Sequence, residues 1–447
     1  MWTVKKFLRV IVRRLARLTI WRYRPGIIGI TGSVGKTSAK RAIRAVLEKG
    51  RNVRVSSNNL NNDIGLPLSI LGDWDPEDLS LITRDTPRGT LRARKFFFWT
   101  KVFFVATWHI IFKSQDYPEI LILEYAADAP GDVKYLLTVA RPNMSVITAI
   151  GDIPAHVEHY SGPEEVAREK GKLIEYLSVG GFAVLNYDDA VVRNLQSRTR
   201  GRVVTFGFNK GAEIRITRFE TRVRDGVPIG SSFKLEYNGT FVPVRIDHAF
   251  GRAHAYAAAA AAAIGIAFGM NLVAISEALT GYIPADSRMQ VFHGIKSTYV
   301  IDDTYNASPI ALEVAFETLG DLPGKRKIAV LGDMLEIGKY TSEAHERAGT
   351  LVAGVANVLF TVGHRAKMIA LAAHETGMKK NAIFSFDTVG VAAVALRDFV
   401  RKGDVVLVKG SHETRLNLIV DELCAATPEI GFKESPSEPL APPPATA

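Results

Sequence analysis

The stretch GIIGITGSVGKTSAK, residues 26–40, constrains the fold more than any other part of the sequence. Its apolar start is typical of a buried strand, and glycines spaced three residues apart lead directly into Lys36, Thr37 and Ser38. A strand that enters a glycine turn and then a helix presents free backbone N–H groups and the positive end of a helix dipole. The pattern therefore predicts a phosphate-binding loop in an α/β protein.

Within this loop each residue type has an expected task. Lys36 can reach the β- and γ-phosphates of a nucleotide, and the Thr37 hydroxyl can ligate Mg²⁺. The generic phosphate loop has a glycine where Ile30 stands, so this is a variant form. The residues expected to contact the nucleotide here are Gly32, Ser33, Val34, Gly35, Lys36, Thr37 and Ser38.

Short apolar runs recur along the chain, and helical stretches separate several of them. This rhythm is typical of an α/β protein with mostly parallel sheets. Residues 202–246 alternate more strictly and indicate an antiparallel annex, whereas residues 254–269 predict a helix of small residues suited to close packing. The runs predicted as strands are Ile27–Ile30, Ile120–Leu123, Met144–Ile147, Phe182–Leu185, Tyr299–Ile301, Ile328–Leu331 and Val405–Val408.

The best candidate for a domain boundary is the segment GYIPADS, residues 281–287. The sequence then divides into a basic amphipathic helix (1–25), a central domain (26–283) with an aromatic-rich insertion (about 84–116), a C-terminal domain (284–425) and a proline-rich tail (426–447). The tail has little to bury, so we expect it to be disordered.

The net charge of +10 is concentrated in two segments of the 447-residue chain. Residues 1–24 hold eight basic side chains and no acid, and residues 84–101 hold six basic side chains and one acid. The remainder is close to neutral, which argues against a general nucleic-acid-binding protein. The single cysteine, Cys424, excludes a disulfide framework and a cysteine-based zinc site, and it fits a reducing compartment.

Residues 2–22 predict a helix with basic residues opposite an apolar face. The apolar face comprises Val4, Phe7, Leu8, Ile11, Val12, Leu15 and Leu18. Two arrangements fit this pattern: a terminal helix docked on its own protein, and a helix lying on an anionic membrane surface, which we favour. Arginines interrupt the apolar run, and no small-residue cleavage site follows, so a secretory signal is not indicated.

The segment KFFFWTKVFFVATWHIIFK, residues 95–113, is unusual for a soluble enzyme. Its aromatic-rich stretch of 17 residues, interrupted by Lys101 and His109, would span roughly 25 Å as a helix, less than the ~30 Å of a hydrocarbon core. We favour an interfacial or re-entrant helix. A buried helix, an oligomer contact and a true membrane span are the alternatives.

The form GITGxxGKT[ST] resembles the phosphate loop of the Mur ligase family, the ATP-dependent amide ligases of cell-wall assembly. Further blocks resemble that family in the same order, over about residues 26–423. The later blocks are specific to the branch that adds D-alanyl-D-alanine to a muramyl tripeptide. The matching blocks are SNNLNNDIGLPLSIL (57–71), ILEYAADAPGDVKYL (122–136), AIGDIPAHVEHYSGPEEVAREKGKLIEYL (149–177), VLNYDD (184–189), IDDTYNASP (301–309), VLGDMLEIG (330–338) and VKGSHETRL (408–416).

The resemblance implies a central domain with the phosphate loop and a Rossmann-like C-terminal domain that closes over ATP. It also implies an activity: ATP phosphorylates a carboxylate to an acyl phosphate, and an amine then displaces phosphate. The expected substrates are a muramyl peptide and a dipeptide. We expect the protein to be a monomer in the cytoplasm, attached at most peripherally to the inner face of the membrane.

The resemblance further implies two Mg²⁺ sites and a carbamylated lysine. Thr37 would hold the first ion beside the phosphates, and Glu124 corresponds to a metal-binding glutamate. His156 corresponds to the histidine of the second ion, and Lys170 to the lysine that CO₂ converts to a carbamate. The neighbouring Lys172 confuses that last assignment. The catalytic residues expected are thus Lys36, Glu124, His156 and Lys170.

In the C-terminal domain the resemblance assigns nucleotide contacts to Arg288, Asp303 and Asn306. Lys409 would face the active site when the domains close, and Asp333 and Glu336 are candidates on the amine side. The asparagine-rich segment would lie near the substrate through Asn59, Asn61 and Asn62.

Three departures from the family pattern stand out. GRAHAYAAAA (251–260) replaces a GxHNxxN block, which displaces His254 and leaves at most a weak role for Arg252. Ser287 replaces a glycine before Arg288. Only 25 residues precede the phosphate-loop domain, where the family has a UDP-gripping domain. We expect that domain to be missing and hypothesise a lipid-linked or membrane-proximal substrate.

Other functions remain open on the sequence alone. A Mur-fold ligase acting on another peptide or polymer, of γ-glutamyl or archaeal wall type, fits the same motifs. A membrane-recruited scaffold that binds ATP without turnover is a rival from another class, although it would not need to retain Lys36, Thr37, Glu124, His156 and Lys170 together. A zinc site at His156 and His159 lacks further ligands, and a nucleic-acid-dependent ATPase lacks its motif set.

Overall fold

The computed structural model describes residues 2–57, 60–82 and 92–424. Its N-terminal part is built on one nine-stranded sheet, in the order β2-β3-β1-β4-β5-β6-β7-β8-β9. The strands are β1 (Gly26–Thr31), β2 (Val53–Val55), β3 (Ile120–Glu124), β4 (Met144–Ile147), β5 (Phe182–Asn186), β6 (Arg202–Gly207), β7 (Ile214–Arg224), β8 (Val227–Tyr237) and β9 (Thr240–Asp247).

Helices cover this sheet, as parallel strands require. They are α1 (Trp2–Tyr23), α2 (Lys36–Leu47), α3 (Gly65–Leu71), α4 (Pro76–Ser80), α5 (Arg92–Ile111), α6 (Asp132–Val139), α7 (Pro163–Glu175), α8 (Ala190–Arg193), α9 (Arg252–Ala267) and α10 (Leu272–Leu279). The small-residue helix predicted for 254–269 is confirmed as α9. It packs closely on α2 and α10, because a Cβ at Gly265 would already meet Val46 and Ile275 at 3.0 Å.

A second sheet of six strands follows, in the order β10-β11-β15-β12-β13-β14, parallel except for β10. Its strands are β10 (Gln290–Gly294), β11 (Thr298–Asp303), β12 (Arg326–Gly332), β13 (Val358–Val362), β14 (Ile383–Phe386) and β15 (Asp404–Lys409). Its helices are α11 (Pro309–Asp321), α12 (Thr341–Ala353), α13 (Lys367–Glu375), α14 (Val389–Phe399) and α15 (Asn417–Cys424).

The predicted α/β class with mostly parallel sheets is confirmed, and all seven runs predicted as strands lie in strands. The antiparallel annex is smaller than predicted. β6 pairs in parallel with both β5 and β7, so the antiparallel pairs of this sheet are β7 with β8 and β8 with β9. The predicted domain limits stay a prediction. The two sheets lie on either side of residues 281–287, whereas the tail (426–447) and residues 83–91 of the insertion fall outside the described residues.

The N-terminal helix docks on its own protein through part of the predicted apolar face, Val12 and the half-buried Leu15, together with Ala16 and Thr19 outside that face. Val12, Ala16 and Thr19 are fully buried, whereas Phe7 and Leu18, both predicted to share the apolar face, are exposed. The helix thus keeps apolar side chains on both sides. The aromatic segment forms α5, which packs beside α1. Within residues 2–57, 60–82 and 92–424, no helix is long and apolar enough to cross a membrane.

Candidate active site

The phosphate loop connects β1 to α2 with the geometry that its glycines require. Gly32 has φ 149°, and a Cβ there would lie 2.1 Å from Thr148 Oγ1. Gly35, at φ 87°, begins α2 in the left-handed conformation. The loop is pinned to the end of β4, where Ser33 and Val34 donate their N–H groups to the Ala149 carbonyl. At Gly32 any side chain would clash with Thr148, so this close approach of the loop to the residues after β4 requires glycine.

Two lysines from different helices converge on this loop. Lys36 Nζ donates to the Gly32 carbonyl at 2.7 Å, and Lys170 Nζ on α7 donates to the same oxygen at 3.3 Å. Burial lowers the pKa of Lys36, although Glu124 opposes the shift. Burial also lowers the pKa of Lys170 to about 7, and the charge of Lys36 adds to that effect.

Lys172 has a different partner from Lys170. It forms an ion pair with Glu169, which also accepts a hydrogen bond from the Val133 N–H at 3.0 Å. The structure therefore distinguishes the two lysines. Lys170 points into the loop, whereas Lys172 pairs with an acid on its own helix.

Glu124, at the end of β3, is buried and already has a cationic partner. Its Oε1 lies 2.7 Å from Lys40 Nζ on α2, and Lys40 also donates to the Ser56 carbonyl at 2.7 Å. Burial alone would raise the pKa of Glu124, but Lys40, aided by Lys36 and Arg288, holds it below its usual value. Glu124 is therefore an anion close to the loop. The sequence analysis missed Lys40, although it stands one helical turn after Lys36.

His156 lies at the junction of the two halves of the molecule. Its backbone is left-handed at φ 65°, Nδ1 lies 2.7 Å from a carboxylate oxygen of Glu336, and Nε2 lies 3.6 Å from Asp128. Asp128 also acts on the pKa values of Lys36 and Lys170, so it belongs to the site although the sequence analysis did not single it out. The indication in the sequence was the position of Asp128 shortly after Glu124, the acidic residue that ends β3.

The predicted metal residues do not form a complete cage of side chains. In the part of the chain that the structure describes, no group of three or more His, Cys, Asp or Glu could hold a metal ion. His159 pairs with Glu158 at 3.7 Å, so the HxxH zinc site gains no support. Thr37 and Glu124 both lie close to the loop and carry oxygen donors of the kind that Mg²⁺ prefers.

The second half of the molecule supplies the opposite wall of a cavity at the loop. Ser33, Gly35 and Ser38 line it from one side, and Arg288, Asn306 and Lys409 from the other. Lys409 is buried, with Nζ 2.5 Å from Asp303 and 2.7 Å from the Asn306 carbonyl. The cationic Arg288 lies over the Tyr305 ring at 3.8 Å.

The residues at the departures from the family pattern have local roles. Ser287 has φ 54° and donates to Asp302 at 2.9 Å, so this hydrogen bond offsets a conformation that suits glycine better. His254 is buried with Nδ1 2.8 Å from the Tyr282 hydroxyl, and burial lowers its pKa to about 4. Arg252 lines the cavity and stacks on Phe208.

Several residues that the sequence predicted to lie near the substrates make hydrogen bonds within the protein instead. Asn62 Oδ1 accepts from the backbone N–H groups of Ile64 and Gly65 at the start of α3. Asp333 accepts from the Ala366 N–H at 2.7 Å. The Asn61 carbonyl accepts from Ala126, two residues beyond Glu124, whereas Asn59 lies outside the described residues.

Comparisons with known proteins agree with this architecture. Residues 108–265 match the Mur ligase middle domain, and residues 287–412 match the Mur ligase, glutamate ligase domain. The UDP-N-acetylmuramoyl-tripeptide–D-alanyl-D-alanine ligase of Mycobacterium leprae is 29% identical over 437 residues, covering 89% of this chain and 73% of its own. The corresponding ligase of Bacillus subtilis is 26% identical over 416 residues, covering 92% and 79%.

A solved structure resembles the whole arrangement. The MurF ligase of Thermotoga maritima, in complex with ADP, superposes with a TM-score of 0.74 at 25% identity and covers 93% of this chain and 83% of its own. The family domains together span both halves of the chain, and the phosphate loop and facing cavity described above lie within the same fold. The chain therefore belongs to the Mur ligase family.

Proposed function

We propose that this chain is an ATP-dependent, ADP-forming ligase that joins D-alanyl-D-alanine to the carboxylate of a muramyl tripeptide in peptidoglycan precursor synthesis. One observation carries the proposal: the phosphate loop faces Arg288, Asn306 and Lys409 across a single cavity. The relatives' names supply the substrates, since the ligases of similar sequence act on a muramyl tripeptide and D-alanyl-D-alanine.

The chemistry follows from the poor electrophilicity of a carboxylate. The substrate carboxylate takes the γ-phosphoryl group of ATP and becomes an acyl phosphate; the dipeptide amine then attacks, and phosphate leaves. The protein has to place three reactants together and neutralise the charge that develops on the transferred group. We assign that second task to Lys36, because its ammonium group lies within the loop, 2.7 Å from the Gly32 carbonyl.

We infer that Thr37 and Glu124 hold one Mg²⁺ and that Glu124, His156 and a carbamylated Lys170 hold a second. Magnesium supplies positive charge to the phosphate oxygens when bound. The donor set fits the first ion, because the buried Glu124 is ionised and Thr37 lies in the first turn of α2. Lys170 fits a carbamate, because a pKa of about 7 leaves much of its amine neutral and reactive toward CO₂.

We also propose that the enzyme works as a monomer in the cytoplasm. One chain contributes both walls of the cavity, so no second copy is needed to complete the site. The use of ATP and a sequence with one cysteine, Cys424, both fit that compartment. Arg288, Asp303 and Asn306 are proposed as nucleotide contacts, and Lys409 as the lysine that orients Asp303 and the Asn306 carbonyl.

Phosphate release from ATP tests the proposal. Purified protein with Mg²⁺ and bicarbonate is given the muramyl tripeptide and D-alanyl-D-alanine, separately and together, with Lys36→Ala as the inactive control. Release that requires both substrates supports the ligase. Release that another amine or another carboxylate stimulates instead would favour a Mur-fold ligase of different specificity, and silence with every pair would favour the ATP-binding scaffold.

A further inference from the structure

The outer faces of α1 and α5 form an apolar and basic surface that has no covering element among the described residues. Both helices bury their inner faces in the same core cluster, which contains Val12, Ala16, Phe98, Val102 and Ala106. They contact each other, and both contact α3. Their outer faces therefore point away from that core and toward solvent.

On α1 the outer face has an apolar centre with basic residues around it. Phe7, Val10, Leu18 and Trp21 recur at helical spacing on this side, and Phe7 and Trp21 are 66% and 69% exposed. Arg14, Arg17 and Arg22 share the exposed side, and no salt bridge joins any of them to a described carboxylate. Arg9, in contrast, is paired with Asp63.

The outer face of α5, continued by Phe112 just after the helix, carries a row of aromatic side chains. Phe97, Phe104, Trp108 and Phe112 follow one another along this side, and Phe104 is 67% exposed. Trp108 lies between two of them, with ring centroids 6.1 Å from Phe104 and 4.4 Å from Phe112. The basic Lys101 is paired with Asp75 and Asp78, and Arg94 with Glu77, so this helix contributes chiefly apolar area to the surface.

We propose that the outer faces of α1 and α5 dock on an anionic lipid bilayer. Exposed tryptophans and phenylalanines suit the interface between headgroups and acyl chains, and unpaired arginines beside them suit anionic headgroups. The charge also argues against a second copy of this chain, because a two-fold contact would bring Arg14, Arg17 and Arg22 of both copies into one interface. Docking places α3, which starts beside the asparagine segment, behind the membrane-facing surface.

Co-sedimentation of the full chain with vesicles tests this surface. We expect binding to phosphatidylcholine vesicles that contain phosphatidylglycerol, weak binding to phosphatidylcholine alone, and loss of binding at high salt. The Arg14→Gln/Arg17→Gln/Arg22→Gln variant should lower the partition coefficient roughly 100-fold, since each basic side chain near an anionic surface is worth about a factor of five. The matched control is Lys379→Gln/Lys380→Gln/Lys402→Gln, three exposed lysines elsewhere, which should bind like the parent.

Tryptophan fluorescence locates the contact. Trp21 and Trp108 are exposed, whereas Trp74 is buried. We expect vesicles to shift the emission to shorter wavelength and brominated acyl chains to quench it. Both effects should shrink in Trp21→Phe/Trp108→Phe and persist in Trp74→Phe. Phe104→Ser should weaken binding, and Val179→Ser, at a comparably exposed position in a loop, should not.

Three results would overturn the proposal: no co-sedimentation, equal binding to neutral and anionic vesicles, or concentration-dependent self-association that Phe104→Ser abolishes. The last would assign the surface to a second copy. The readouts do not depend on turnover. The arginine variant should keep the parent's phosphate release with soluble substrates, so failure of the ligase and failure of the docking surface are separate outcomes.

Discussion

Lys36 and Lys170 donate hydrogen bonds to the same oxygen, the Gly32 carbonyl, from helices that begin 127 residues apart in the sequence. Burial lowers the pKa of both lysines, and the charge of Lys36 lowers the pKa of Lys170 further. This pairing explains how a lysine next to a phosphate loop can have a neutral amine near neutral pH. It also makes the state of Lys170 depend on the charge of Lys36.

Carbamate formation at Lys170 should therefore depend on pH around 7. CO₂ reacts with the unprotonated amine, and a pKa of about 7 means that this form increases as the pH rises through that value. An ordinary lysine stays protonated there. With ¹³C-labelled bicarbonate, we expect one carbamate resonance in the NMR spectrum that is weak below pH 7 and grows above it. Lys170→Arg should remove the resonance, and Lys172→Arg should retain it.

Replacing Lys36 with methionine should shift the carbamate profile of Lys170 to higher pH. The substitution removes a nearby positive charge that now lowers the pKa of Lys170, so the amine becomes more basic. The same ¹³C titration measures the shift without any turnover. An unchanged midpoint would show that the two lysines are not coupled and that burial alone sets the Lys170 pKa.

The Gly32→Ala variant should lose nucleotide affinity. The added methyl would meet Thr148 Oγ1 at 2.1 Å with the backbone at φ 149°. Strained backbone of this kind costs about 1–3 kcal/mol, so the dissociation constant for ADP should rise roughly fivefold to 150-fold. Isothermal titration measures it. Gly377→Ala is the matched control, because Gly377 also has positive φ, at 110°, but has open space around its Cβ position. Equal effects of the two substitutions would contradict the steric argument.

Removing Lys40 should destabilise the fold through Glu124. Lys40→Met leaves a buried carboxylate without its cation, which costs about 3–5 kcal/mol of the free energy of unfolding. Adding Glu124→Gln removes the stranded charge and should recover most of that loss. Urea unfolding of the two single variants and the double variant measures the coupling. Strictly additive losses would mean that the two side chains do not stabilise each other.

The parts of this molecule that sequence predicts well are those specified by nearby residues. The loop at Gly32 and Gly35 follows from glycine spacing, and strands such as Ile120–Glu124 follow from continuous apolar runs. Tertiary pairings were harder to predict. Nothing near Glu124 indicates that Lys40 lies against it, and nothing near His156 indicates Glu336, because those contacts join distant segments.

Two other predictions differ from the structure because a polar side chain found a local partner and because a helix is apolar on more than one side. Asn62 was expected near the substrate, but its carboxamide oxygen binds the first N–H groups of α3, a role open to any asparagine before a helix. The helix α1 carries apolar residues around much of its circumference, so periodicity placed Val12 and Phe7 on one apolar face although only part of that face meets the core. The structure buries Val12 and leaves Phe7 exposed.

The most direct test of the proposed activity follows an oxygen atom. The muramyl tripeptide is prepared with ¹⁸O in its terminal carboxylate and incubated with ATP, Mg²⁺ and D-alanyl-D-alanine. If the carboxylate is phosphorylated and the amine then displaces phosphate, mass spectrometry will find ¹⁸O in the inorganic phosphate in step with the pentapeptide product. Product without ¹⁸O in the phosphate, or phosphate release with no pentapeptide, would contradict the proposed ligase mechanism.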